Sequence, residues 1–156
     1  MNRILKFICL LTILQLGICY VSCGQNRQNE AIKHINKGNQ LLSSDIQMAI
    51  TEFLKASSII ESTSDSLYIQ ANIGLAETFL LTHQLNAGLQ TIDQILSAID
   101  YKFPIYQVKA LLLKARILTK LGRYQQAAQV LGNTREKYQL LADKSDILFA
   151  KILYAH

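Results

Sequence analysis

The chain has 156 residues, of which 50% are hydrophobic and 17% charged, with one proline and no tryptophan. That is a single ordinary domain with enough apolar material for a core, so collagen-like, mucin-like and disordered classes are excluded, and a multi-domain enzyme has little room. The formal charge is +5, but its placement along the chain is more informative than its sum.

Arg3 and Lys6 precede an apolar run, Phe7 to Val21, and small residues follow at Ser22 and Gly24. This is the layout of a secretory signal peptide, expected to span residues 1–22. The run falls short of the roughly twenty residues that cross the hydrocarbon core of a bilayer, which makes a transmembrane helix the weaker alternative. All three cysteines, Cys9, Cys19 and Cys23, lie in this region, so the exported domain has no pair to oxidise.

The stretch Tyr20-Val21-Ser22-Cys23-Gly24-Gln25 resembles a bacterial lipobox. The resemblance implies that Cys23 is acylated, as by palmitate, and becomes the first residue of a membrane-anchored lipoprotein. Tyr20 departs from the aliphatic residue usual there. Leu16-Gly17-Ile18-Cys19 is a competing site with a bulky Ile18 next to the cut, and plain signal cleavage with an incidental cysteine is the simpler alternative. Polar residues 24–29 are expected as a tether, so residues 23–29 form the anchor segment. Without an aspartate after Cys23, the implied address is the outer membrane, facing the periplasm.

From there on a period of thirty-nine residues runs through the chain. It aligns Ala49, Gly88 and Ala127; four positions later Phe53, Ile92 and Leu131; and three further on Ala56, Ile95 and Thr134. Ala71 matches Ala110, Ala76 matches Ala115, and Phe79 matches Leu118, while Gly38 and Leu41 stand near the equivalent sites of a slightly shorter first unit. Each unit is expected to fold as two helices, because apolar residues recur at three-and-four spacing in Leu67, Ala71, Leu75 and Phe79 and again in Leu111, Ala115 and Leu118. Boundaries are marked by Ser43-Ser44-Asp45, by Ser62-Thr63-Ser64-Asp65, by Pro104 in a first helical turn and by Gly122 between helices. No segment alternates as a strand does.

Leu75-Ala76, Phe79, Leu85, Gly88 and Ile92 together resemble a tetratricopeptide repeat, and Ala115, Leu118, Gly122 to Ala127 and Leu131 match its turn and second helix. The implied fold is all-α, a right-handed α-solenoid of three helix-turn-helix repeats at about 30–62, 63–101 and 102–140, with a terminal helix at 144–155. Ala49, Phe53, Ala76, Phe79, Gly88, Ile92, Ala115, Leu118, Ala127 and Leu131 are its expected packing residues. A period of thirty-nine exceeds the usual ~34 of this family. Gly88 stands where alanine is usual, and Thr134 where a small apolar residue is. An unrelated helical bundle is the alternative. The last segment, with Ile147, Ala150, Leu153 and Tyr154, reads as a capping helix or as the start of a longer array.

Catalytic constellations are missing from the pattern. His34, His83 and His156 fall in separate units and are expected at solvent-facing or cap positions, and no metal-ligand spacing or phosphate loop occurs. No enzyme, cofactor or metal is therefore expected. Charge is the remaining lead: residues 23–101 carry four basic and eight acidic side chains, a net −4, whereas residues 102–156 carry ten and three, a net +7. Lys109, Arg116 and Lys120 are spaced to share one helix face. The family resemblance places them, with Gln70 and Glu77, towards a concave groove that binds extended peptides. The expected function is a non-catalytic protein-protein interaction scaffold in the cell envelope, with a protein or peptide partner, and without nucleic acid or a small-molecule substrate. A solvated helix face and anionic lipid headgroups are other readings of the same cations. The alternative function is the extracytoplasmic sensory region of a longer signalling or transcriptional regulator.

Overall fold

The computed structural model describes residues 24–63, 65–99 and 103–139. The signal segment, Cys23 and the terminal helix expected at 144–155 lie outside the described residues. Among the described residues the protein is all-helical, with six helices and no strand. Helix α1 covers residues 24–41, and it is followed by α2 (Ile46–Ile59), α3 (Ser66–Leu81), α4 (Leu85–Ala98), α5 (Pro104–Lys120) and α6 (Tyr124–Gln139).

The helix ends have local chemical causes. Asp45 caps α2 by accepting from the Met48 backbone N–H at 3.0 Å, and Asp65 caps α3 by accepting from that of Leu67 at 2.7 Å. Pro104 opens α5, where its missing N–H costs nothing. Helices α3 and α5 stop in the same way. The backbone N–H of Gln84 donates to Phe79 O at 2.8 Å, and that of Arg123 to Leu118 O at 2.9 Å, the six-to-one bond of a Schellman turn. The left-handed residue of that turn is His83 (φ 59°) after α3 and Gly122 (φ 73°) after α5.

Residues 24–29, expected as a tether, belong to α1 instead. The stretch contains no proline or β-branched residue. Arg27 also pairs with Glu61 beyond the end of α2, which holds the first turns of α1 against the body.

From α2 onward each helix packs on the next, α3 also packs on α5, and α1 meets α2 through Gly38 against Phe53 and the His34 and Lys37 contacts with Glu52. Helix α3 is consequently enclosed on several sides, burying Ile69, Ala71, Asn72, Gly74, Leu75, Ala76, Thr78 and Leu80. The largest core cluster joins α3, α4 and α5 through Ile69, Ala76, Leu80, Ile92, Ile95, Ala110, Leu113 and Ile117. At the other end Ile35 of α1 meets Ala56 of α2 and Ala71 of α3. Burying one large aliphatic side chain contributes about 1.5–3 kcal/mol, so these clusters rather than helix propensity hold the helices together.

The residues singled out by the period lie in this core. Ala49, Phe53, Ala76, Gly88, Ile92, Ala115, Leu118 and Ala127 are buried, while Phe79 and Leu131 are partly buried. Gly88 has a steric reason to lack a side chain: a Cβ there would stand 3.1 Å from Ile117 Cδ1 and 3.3 Å from Phe79 Cβ. Thr134 is buried with its hydroxyl donating to Val130 O at 2.6 Å, so the polar group replaces an apolar one without losing a partner.

Candidate functional site

The odd-numbered helices share a cleft of about 360 Å³. Ile35 and Asn39 come from α1, Gln70, Ile73, Gly74 and Glu77 from α3, and Tyr106, Lys109, Leu112, Leu113 and Arg116 from α5. Among the described residues none of α2, α4 or α6 lines it. The reason is the helix periodicity: positions 70, 73, 74 and 77 form one stripe on α3, and 106, 109, 113 and 116 form one on α5. Aliphatic side chains make the floor and polar heads the rim.

Four of the five predicted binding residues, Gln70, Glu77, Lys109 and Arg116, meet at this cleft. Lys120 lines a neighbouring cleft of about 460 Å³ together with Leu80, Leu81, His83, Leu112, Ala115, Arg116, Thr119 and Leu131. Arg116 and Leu112 border both, so the two clefts adjoin along α5. Charge and spacing point to the cations, and the resemblance adds Gln70 and Glu77. Asn39, Tyr106 and His83 were missed, although Tyr106 stands one turn from Lys109 and its place was readable from the same spacing.

The rim electrostatics are open rather than locked. Arg116 Nη1 lies 3.9 Å from Glu77 Oε1, and both side chains are about half exposed, at 53% and 40%. A pair of that kind contributes well under ~1 kcal/mol and gives way to a better ligand. Lys109 Nζ stands 5.9 Å from the Tyr106 ring centroid, at the edge of cation–π range. Lys114 points elsewhere and pairs with Asp93 of α4 at 2.7 Å.

A second polar constellation lies between α1 and α2. The Glu52 carboxylate is almost fully buried, and it meets His34 Nδ1 at 2.5 Å, Lys37 Nζ at 2.9 Å and Lys55 Nζ at 3.6 Å. The hydrogen bond to His34 and then that to Lys37 hold its carboxyl at about 2, against the opposing effect of burial. His34, expected at the solvent, is thus drawn inward by Glu52. A sign was present in the sequence: Ala49, Glu52, Phe53 and Ala56 keep the spacing of a buried stripe, and an acid in such a stripe needs cations opposite. With each of its polar contacts on Glu52, this cluster ties α1 to α2.

Among the described residues no three His, Cys, Asp or Glu side chains converge as metal ligands, and no helix is long and apolar enough to cross a membrane. Cys23 lies outside the described residues. Compared with models of known protein families, with curated proteins and with solved structures, the chain gives no match.

Proposed function

We propose that this protein is a non-catalytic protein-protein interaction scaffold, an exported bacterial lipoprotein whose helix pairs form a right-handed tetratricopeptide-like solenoid. Its groove is the depression along α1, α3 and α5, and its ligand is an extended peptide segment or a neighbouring envelope protein. Acylated Cys23 holds it to a membrane, with the outer membrane facing the periplasm as the address. Two or more acyl chains anchor stably where one anchors only marginally.

The observation that carries this reading is the cleft whose described lining comes from odd-numbered helices alone. A fold of stacked helix hairpins presents the first helix of every pair on one surface. The same surface gathers apolar floor and loosely held cations in one place, which suits a segment carrying both aliphatic and acidic groups. No reaction is assigned, because no nucleophile and base are placed together there.

The test is charge reversal. Lys109→Glu, Arg116→Glu and Lys120→Glu combined should abolish partner capture in the host envelope while circular dichroism and the thermal midpoint stay near those of the parent. Full capture by a folded triple variant would overturn the groove assignment.

A further inference from the structure

The two Schellman turns pose a contrast that packing leaves unexplained. Glycine adopts the left-handed conformation at no steric cost, and Gly122 takes it after α5. After α3 the same conformation is forced on His83, one repeat period earlier, although a side chain there is strained. Histidine takes this conformation at a modest cost that glycine avoids, and residues held so cluster at ligand clamps and switch regions.

The position of His83 suggests what that is. It lines the second cleft, of about 460 Å³, with Arg116 and Lys120 of α5. Thr119 beside them donates its hydroxyl to Ala115 O at 2.9 Å. Among the described residues no acidic side chain lines this cleft, and Arg116 meets only the loosely held Glu77, at 3.9 Å. The remaining wall is aliphatic: Leu80, Leu112, Leu131 and the half-exposed Leu81.

We propose that this cleft is the specificity-determining subsite of the groove and that it takes an acidic segment of a partner protein bearing leucine-type side chains. Carboxylates lie against His83, Arg116 and Lys120, with Arg116 exchanging Glu77 for the ligand, and an aliphatic side chain enters between Leu80, Leu112 and Leu131. The occupant is a peptide rather than a lipid surface because Arg116 and Lys120 border a cleft of about 460 Å³ with aliphatic walls, room for a few side chains, whereas a headgroup layer calls for a flat cationic face. The proposal rests on the groove reading above and adds to it the chemistry of the ligand.

The experiment uses the full chain in a non-ionic detergent and a fluorescent eight-residue peptide alternating glutamate and leucine. A second peptide has glutamine in place of every glutamate. Anisotropy should show the acidic peptide binding about tenfold or more tightly than its neutral counterpart, with the gap closing as salt is raised. His83→Gly should weaken the acidic peptide by about three- to tenfold, and Lys120→Gln by a similar factor. The same His83→Gly change should raise the thermal midpoint, so lost binding is not lost folding. A photo-reactive group at Leu81 should crosslink to the acidic peptide.

Equal binding of the two peptides, or an unchanged affinity in His83→Gly, overturns the subsite while the groove reading stands. Loss on Lys109→Glu with no effect of His83→Gly or Lys120→Gln moves the ligand to the neighbouring cleft with the same consequence. A crosslink from Leu81 to residues 140–156 or to a second copy of the chain assigns the cleft to that occupant and overturns the proposal. Failure of the acidic peptide to bind while vesicles containing anionic lipid do so overturns it as well.

Discussion

The ring of Phe53 fills the space beside Gly74 that a methyl group would need. An ideal Cβ on Gly74 would come within 2.5 Å of Phe53 Cζ, and one on Gly38 within 2.8 Å of Phe53 Cε1. One aromatic side chain from α2 is therefore held between bare backbone of α1 and of α3, which lets three helices meet closely. Gly74 also borders the first cleft.

Gly74→Ala is accordingly expected to destabilise the fold by about 1–3 kcal/mol, the usual cost of forcing a methyl into a packed core. Gly132 in α6 is the control, since a Cβ there meets nothing within 4 Å. Gly132→Ala should stabilise by up to about 1 kcal/mol through helix propensity. Guanidinium unfolding of the two variants checks the pair, and a neutral Gly74→Ala would show that Phe53 has another place to go.

Glu52 should make the fold acid-sensitive. Its carboxyl is held at about 2 when folded against 4.5 when free. The stabilisation is thus complete above about pH 4.5 and is lost as the pH falls towards 2. Denaturant midpoints of the parent should fall more steeply across that window than those of Glu52→Gln. At neutral pH, Glu52→Ala should cost about 1–3 kcal/mol, because His34 and Lys37 lose their shared acceptor at the α1–α2 seam.

The two Schellman turns should respond oppositely to substitution. His83→Gly relieves a strained residue and should stabilise, whereas Gly122→Ala places a side chain in the left-handed region and should cost about 1–2 kcal/mol. Thermal midpoints of the two single variants measure both signs. A fall in both would mean that the His83 side chain holds the α3–α4 turn together.

The anchor makes a separate prediction. Intact mass of the chain extracted from membranes of its own host should correspond to a start at Cys23 with added acyl groups, and Cys23→Ser should release the protein from the membrane pellet. An unmodified mass would leave an exported scaffold without a lipid anchor.

Helical class and helix ends were legible in the sequence because they depend on local chemistry: Asp45, Asp65, Pro104 and Gly122 each act on their own backbone neighbourhood. The buried small residues were legible through their period. What sequence did not yield depends mostly on contacts between helices. His34 turns inward only because Glu52 faces it from eighteen residues away in sequence. Gly38 and Gly74 acquire their meaning from Phe53, and residues 24–29 are helical where polarity alone suggested a tether. The cations of the site were readable as a helix face, but the joining of Arg116, Lys120 and His83 around one cleft needed the packing of α3 on α5.

The most direct test of the central claim is site-specific photo-crosslinking in the native envelope, with the reactive group placed at Gln70 in the cleft or at Met48, which is exposed on α2 and lines neither cleft. The account predicts a discrete protein adduct from Gln70 that disappears with the Lys109→Glu, Arg116→Glu, Lys120→Glu variant, and none from Met48. Adducts from Met48 alone, or adducts from Gln70 indifferent to charge reversal, would contradict it.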